Sequence, residues 1–158
     1  MDTTKKTLIV FSNDLDRAMA AFIIANGAAA MGDEVTMFFT FWALNLLRKP
    51  EGVAVKKTFM EKMFGWMMPR GPDKVVLSKM NMGGMGTAMM KSAMKKHNVM
   101  SLQKLMDTAR EQGIKLIACT MTMDVMGIKK EELIDGIELA GVGTYLGAAD
   151  QANLNMFI

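Results

Sequence analysis

Residues 7–14 read TLIVFSND, a short apolar run that ends in turn and helix-start residues. In this 158-residue chain they predict a first buried strand followed by the start of a helix. The Ala-rich segment from Leu15 to Met31 predicts a helix. Glu34 to Thr40 then predicts a second buried strand, and Trp42 to Leu47 predicts a short helix. A β-α-β-α succession within the first fifty residues indicates a parallel sheet covered by helices.

The same alternation returns after residue 100. Ser101 is predicted to cap a helix that runs through Gln112, and Lys115 to Cys119 predicts the third strand. Further elements are predicted as a short helix at 129–133, a strand at 137–143, a helix at 144–151 and a terminal strand at 153–158. We therefore expect a single α/β domain over residues 1–158, with three α/β/α layers and about five parallel strands in the flavodoxin-like order 2-1-3-4-5.

The segment 51–100 differs in composition from the rest of the chain. It carries nine Lys or Arg against three acidic residues, whereas the remainder carries ten against thirteen. It also holds most of the 20 methionines, spaced as on helix faces at about 56–68 and 87–97. We predict a basic, Met-rich helical insertion between strands two and three. Its apolar faces are expected to pack on the domain or in an oligomer interface, with the lysines outward.

The composition excludes several classes of protein. One cysteine and one histidine, His97, exclude an intrachain disulfide, a CxxC redox pair and an ordinary zinc site. No P-loop is present, and the glycine turn at 141–147 leaves too few residues for a dinucleotide-binding unit, so no cofactor and no metal are predicted. Methionine spacing that suits a helix face as well as a Cu(I) site does not support copper binding.

Charge and hydropathy patterns bear on location and partners. The basic insertion lacks interleaved aromatic residues and any nucleic-acid-binding motif, so no nucleic acid is predicted as a partner. The opening lacks the apolar core of a secretory signal, which favours a cytoplasmic location. The charge-free runs 18–32 and 35–47 are each shorter than the roughly 20 residues of a spanning helix. Peripheral membrane contact through the basic, apolar insertion stays open.

Cys119 is the candidate catalytic residue. It ends a predicted strand, at the edge of the sheet where α/β folds bind ligands, and the strand order 2-1-3-4-5 would bring it beside the end of strand one. Capping residues follow it, and helix-start amides favour a thiolate. A lone thiol has no resolving partner in its own chain, so once oxidised or sulfurated it must pass its cargo to an external thiol or to a neighbouring subunit, as a persulfide carrier does. The alternative is a small buried cysteine with a structural role.

Three further residues are candidate binding residues beside this thiol. Asn13 follows the first strand and Thr120 follows the third, and both are expected to stabilise an anion on sulfur. Asp124 is expected either to orient a partner or to cap a turn, and the second is favoured.

The chain resembles the DsrE/DsrF/DrsH-like sulfur-carrier family, in its longer DsrE-type subgroup, over nearly all its length. The matching segments are SNDLD at 12–16, EVTMFFT at 34–40, LSKMNMGGMG at 77–86, KLIACTMTMDVMG at 115–127 and GVGTYLG at 141–147. The resemblance implies a parallel α/β/α fold, a homo-oligomer (trimer or hexamer) and a cysteine that carries sulfur as a persulfide. Only Cys119 transfers as a site residue. Leu116 stands where a Thr-x-x-Cys arrangement would place threonine, which argues against peroxide reduction.

Two functions follow as hypotheses. The first is a sulfurtransferase or sulfur carrier, in which Cys119 takes sulfane sulfur from a small molecule, a rhodanese or another carrier protein and gives it to an acceptor thiol. The second is a non-catalytic oligomeric binding or scaffold protein, which docks a partner or a membrane surface through its Met-rich insertion.

Overall fold

The computed structural model describes residues 3–158, which form five strands and six α-helices. The strands are Lys5–Val10 (β1), Glu34–Phe39 (β2), Lys115–Cys119 (β3), Glu138–Ala140 (β4) and Leu154–Phe157 (β5). The helices are Leu15–Ala30 (α1), Phe59–Met67 (α2), Met85–Lys96 (α3), Leu102–Glu111 (α4), Thr120–Met126 (α5) and Val142–Asp150 (α6). Short 3₁₀ helices lie at Phe41–Leu47, Pro72–Lys74, Met82–Gly84 and Lys130–Glu132.

All the strand pairs of the described sheet are parallel, which confirms the predicted α/β class. The strand order is β4-β3-β2-β1-β5, so the flavodoxin-like order is wrong. The reason lies in the crossover that leads from β2 to β3. Its last helix, α4, packs beside α1, where the Asn26 side chain donates to the Leu105 carbonyl oxygen at 2.9 Å. A right-handed connection on that face places β3 beyond β2 and not beside β1.

The two faces of the sheet are covered unequally. Helices α1 and α4 pack on one face, where Leu8, Met37 and Leu116 point into the main core. The opposite face holds a smaller apolar cluster that α6 covers with Tyr145. The layers are therefore α/β/α as predicted, but the second helical layer is a single nine-residue helix.

Helices α2 and α3 lie in the segment 51–100, as predicted. Thr58 begins α2 with a capping box: the Thr58 hydroxyl accepts from the Glu61 backbone N–H at 3.3 Å, and the Glu61 carboxylate accepts from the Thr58 backbone N–H at 2.8 Å. Much of the apolar surface of this segment stays open, as Trp66 is 85% exposed and Met89 is 63% exposed. The expectation that these faces pack on the domain is therefore wrong for most of them, and burial in an oligomer interface stays a prediction.

Candidate active site

Cys119 is the last residue of β3 and the N-cap of α5, so the predicted helix start after the thiol is confirmed. Its side chain forms no capping hydrogen bond with α5. It is 3% exposed and lies in the apolar cluster on the α6 face, together with Phe38, Ile117 and Tyr145. The thiol therefore lies at a helix start and is surrounded by apolar side chains.

Tyr145 of α6 forms one of the polar links between α6 and the sheet, beside the bond from the Asn155 side-chain amide to the Ala149 carbonyl oxygen. Its ring lies 5.4 Å from the Phe38 ring, centroid to centroid, and its hydroxyl lies 3.2 Å from the Thr7 hydroxyl. The Thr7 hydroxyl also donates to the Asn155 side chain of β5. These contacts hold α6 over the central strands. Because Tyr145 belongs to the same apolar cluster as Cys119, α6 also covers the thiol.

Thr120 and Thr122 place hydroxyls around the start of α5. Thr120 is exposed and directly follows the cysteine, whereas Thr122 is buried. The Thr122 hydroxyl lies 2.9 Å from the Thr40 hydroxyl at the end of β2, which ties α5 to the neighbouring strand. Of the predicted binding residues, Thr120 is the one that directly follows Cys119, at the carboxyl end of β3.

Asn13 and Asp124 are placed differently. Asn13 follows β1, which β2 separates from β3, so the expected adjacency of the first and third strands is wrong. Asn13 instead lines a cleft beside residues 50–76. Asp124 lies inside α5 and is exposed, and its backbone oxygen accepts from the Gly127 N–H at 3.3 Å. The role expected for each of these two residues stays a prediction.

Three buried charged side chains, Arg48, Lys57 and Glu132, lie close together and form the buried charged group. The Arg48 and Glu132 side chains lie 3.6 Å apart, N to O, and are 0% and 2% exposed. The Lys57 ammonium lies 2.7 Å from the same carboxylate and is 6% exposed. Arg48 also donates to the Asn45 side-chain oxygen and to the Gly65 carbonyl oxygen. Two cations therefore share one buried carboxylate.

The ionisation of this group follows from its contacts. Burial opposes the charge of Glu132, but the backbone N–H of Lys129, then Lys57 and Arg48, outweigh burial and hold the pKa of Glu132 below its usual value. Burial, and next the charge of Arg70, lower the pKa of Arg48. Two cationic side chains, Arg48 and Lys57, face the single Glu132 carboxylate, so this group holds more cationic than acidic side chains.

The insertion contacts the helix that starts at Cys119. Glu61 of α2 packs against Gly127, where an added Cβ would come within 2.6 Å of the Glu61 side chain. The Glu61 carboxylate also lies 3.5 Å from the Lys129 ammonium. Helix α2 is therefore fixed to the C-terminal end of α5, and Gly127, at φ +68, leaves room for that contact.

Among residues 3–158, no group of three His, Cys, Asp or Glu side chains is placed to hold a metal ion. No helix of the part of the chain that the structure describes is long and apolar enough to cross a membrane.

Comparison with known proteins decides the family. The model of the DsrE/DsrF/DrsH-like family matches residues 3–157 of this chain. The chain belongs to that family.

Two relatives align with nearly the whole of this DsrE-like chain. The Bacillus subtilis protein YrkE, described as uncharacterized, is 58% identical over 156 residues, which cover 99% of this chain and 98% of YrkE. The sulfur carrier protein DsrE2 of Allochromatium vinosum is 38% identical over 162 residues, with full coverage of both chains.

Solved structures show the same fold. The YchN protein of E. coli superposes with a TM-score of 0.58 at 10% identity, over 99% of this chain and 100% of YchN. MTH1491 of Methanobacterium thermoautotrophicum, a protein of unknown function, gives 0.54 at 11% identity, over 97% and 98%. At these identities the likeness shows the DsrE-like fold alone.

Sequence reasoning missed the residues of the buried charged group. Arg48 and Glu132 lie in the charged runs 48–51 and 129–132, which look like solvated surface. The available signal was that Arg48 follows the mostly apolar stretch 41–47 and that Glu132 precedes the two apolar residues 133–134. That signal cannot pair them, because 84 positions separate the two side chains in the chain.

Proposed function

We propose that this protein is a sulfur carrier that holds sulfane sulfur as a persulfide on Cys119 and passes it to an acceptor thiol. The family, together with a relative named as a sulfur carrier, supports a role in sulfur transfer. The observation that carries the proposal is the position of the chain's single cysteine, at the end of a central parallel strand and at the start of a helix.

The transfer balances without an added oxidant or reductant. The Cys119 thiolate attacks the outer sulfur of thiosulfate, the S–S bond of thiosulfate breaks, and sulfite leaves with the bonding electron pair. The product is the persulfide Cys119–S–S⁻. An acceptor thiolate then attacks the outer sulfur, which regenerates the Cys119 thiolate and forms the acceptor persulfide. A rhodanese persulfide or a small persulfide can replace thiosulfate as the donor, with a thiolate as the leaving group.

Groups at the start of α5 stabilise the negative sulfur in this proposal. The first N–H groups of a helix have no partner within the helix, and Cys119 directly precedes them. The exposed hydroxyl of Thr120 is the nearest side-chain donor in the chain. We assign Asn13 and Asp124 to contact with a donor or acceptor molecule, because β2 separates Asn13 from β3 and Asp124 is an exposed residue of α5.

Loading requires access to a thiol that is almost wholly covered. At 3% exposure, Cys119 cannot meet a donor sulfur unless its cover moves. The cover is α6, a single short helix held by Tyr145. In the proposal, displacement of the Tyr145 ring opens the site for the donor and again for the acceptor.

The protein is further proposed to act as a homo-oligomer, a trimer or hexamer, as the family resemblance implies. The outer surface of α6 exposes apolar side chains, with Val142 at 59% and Leu146 at 52%. Exposed apolar patches of this kind support burial against another chain.

The test is intact-mass spectrometry after incubation with thiosulfate or polysulfide, with and without a reductant. We expect a reductant-labile gain of about 32 Da, one sulfur atom, on the wild-type chain and none on Cys119→Ser. Circular dichroism of Cys119→Ser checks that the fold is retained. If no donor gives the adduct, or if the serine variant gains the same mass, the carrier proposal fails.

A second measurement tests the cover. The alkylation rate of Cys119 by iodoacetamide should rise in Tyr145→Ala, because that change removes the ring from the cluster. Tyr145→Phe is the matched control, since it keeps the ring and loses only the hydroxyl bond to Thr7. Equal rates in the wild-type chain and Tyr145→Ala would show that Tyr145 does not control access to the thiol.

One observation favours the second candidate function, a binding or scaffold protein that docks through its Met-rich insertion. Phe59 is 80% exposed and Met80 is 77% exposed, which is unusual for side chains of this size. Under this hypothesis Cys119→Ser has no effect, whereas a charge at Met63 or Met90 disrupts assembly or docking. Size-exclusion chromatography of Met63→Lys and Met90→Lys, taken together with the sulfur loading of wild type and Cys119→Ser, separates the two functions.

A further inference from the structure

A cleft of about 970 Å³ lies between the insertion and the end of β1. Its walls come from the loop after β1, the segment 50–55, the second half of α2 and the segment 67–76. Cys119 is not among its lining residues, so the cleft is separate from the proposed persulfide site. Asn13 is the one lining residue that the sulfur-carrier proposal also uses, as a contact for a donor or acceptor molecule.

The cleft has an excess of positive charge. Four cationic side chains line it: Lys57, Lys62, Arg70 and Lys74. Among residues 3–158, no carboxylate lies within 4.0 Å of the nitrogen atoms of Lys62, Arg70 or Lys74. These three cations therefore keep their charge available to a ligand.

The two carboxylates at the cleft are already engaged. Asp14 lies 3.4 Å from the Arg17 guanidinium. Glu132 is shared by Lys57 and Arg48 and also accepts from the Lys129 backbone N–H at 2.8 Å. A single buried carboxylate between two buried cations leaves a net positive charge behind the cleft wall. Like charges in a concave, partly apolar wall add to the potential in the cleft.

The remaining wall is apolar. Val53, Val55 and Val76 face the cleft, and Trp66 stands at its border with most of its ring free. An exposed indole beside cations is suited to stack on a flat apolar or aromatic group whose charges the cations bind. A simple inorganic anion would leave this part of the wall without contact.

We propose that this cleft binds a small organic anion, one with at least two negative charges on phosphate, sulfate or carboxylate groups attached to an apolar or aromatic body. Arg70, Lys62 and Lys74 bind the charged groups, and Trp66 with the valines contacts the body. The site goes beyond the sulfur-carrier proposal and does not depend on Cys119.

The test uses ATP as a probe of this chemical class, with isothermal titration calorimetry at low ionic strength and no added metal. We expect saturable binding that weakens as sodium chloride is added. In the double variant Arg70→Gln/Lys74→Gln the affinity should fall by about tenfold or more, since charge-assisted hydrogen bonds are lost. Lys96→Gln/Lys104→Gln is the matched control, because it removes two exposed lysines that do not line the cleft.

A local signal checks where the probe binds. The chain has two tryptophans, so Trp42→Phe leaves Trp66 as the only indole, and ATP should change its fluorescence. Tripolyphosphate supplies the charge without the aromatic body and should bind more weakly than ATP.

Three results would overturn the proposal. They are no saturable ATP binding, equal weakening in the cleft variant and the control, and an unchanged Trp66 signal during binding. Tripolyphosphate that binds as tightly as ATP would refute the assignment of Trp66 and the valines to the ligand. Thermal unfolding of each variant confirms that the fold is intact, as expected for side chains that form no ion pair among residues 3–158.

Discussion

Replacement of Glu132 by glutamine is expected to destabilise the protein strongly. The change keeps the size of the side chain and retains an acceptor for the Lys129 N–H, which the carboxylate meets at 2.8 Å. It removes the only negative charge that faces Arg48 and Lys57 within the described cluster. Both cationic side chains then stay buried, at 0% and 6% exposure, without a counterion.

The magnitude follows from the burial of the three groups. Removing one partner of a fully buried ion pair typically costs about 3–5 kcal/mol, because the uncompensated charge stays out of water. For a chain of this length, each kcal/mol corresponds to about 2–4 °C in Tm, so Glu132→Gln should lower Tm by about 6–20 °C. Exposed ion pairs such as Lys115–Glu138 are worth far less and do not support such a prediction.

The assay is urea and thermal unfolding followed by circular dichroism. Glu131→Gln is the matched control, since it is the adjacent, exposed residue in the same 3₁₀ turn. It should stay within about 0.5 kcal/mol of the wild-type chain. A double-mutant cycle with Lys57→Met should show strong coupling to Glu132→Gln. A loss below about 1 kcal/mol in Glu132→Gln, or equal losses in both glutamine variants, would refute this account of the buried group.

Three further outcomes are expected. The stability gap between wild type and Glu132→Gln should narrow as pH falls through the depressed pKa of Glu132, below 4.5, because a carboxylate with a lowered pKa stabilises the fold only while ionised. Gly127→Ala should lose about 1–3 kcal/mol in urea unfolding, because a Cβ there meets Glu61 and the backbone is left-handed. Tyr145→Phe should lose about 0.5–1.5 kcal/mol in the same assay, through its bond to Thr7. Losses near zero in either variant would contradict these contacts.

The helices, strands and helix caps are predictable from the sequence because each depends on residues that are close together in the chain. The alternation of strand and helix, the Ser101 cap, which accepts from the Lys104 N–H at 3.2 Å, and the helix start after Cys119 all depend on neighbours in the chain. The sequence predicts a strand over 137–143, whereas the structure forms a strand over Glu138–Ala140 only. This strand lies at the edge of the sheet and pairs with β3 alone. Tertiary contacts therefore decide where it begins and ends.

The candidate site was predictable in part. Cys119 stands out because it is the only thiol and ends a strand, and both facts are visible in the sequence. The order 2-1-3-4-5 predicts that Asn13 lies beside Cys119, because that order brings the first and third strands together. Strand order depends on which side each crossover takes, and side-chain periodicity within one element carries no information about that.

The amino-acid sequence alone therefore determines the class of fold, the parallel sheet, the place of the insertion and the identity of the candidate nucleophile. Only the tertiary structure decided that β2 separates β1 from β3, that α6 covers the thiol, and that Arg48, Lys57 and Glu132 meet behind a basic cleft. The physical reason is the distance along the chain over which each kind of interaction acts. Hydrophobic periodicity and caps act over one or two turns, whereas pairing and burial join residues that only the folded chain brings together.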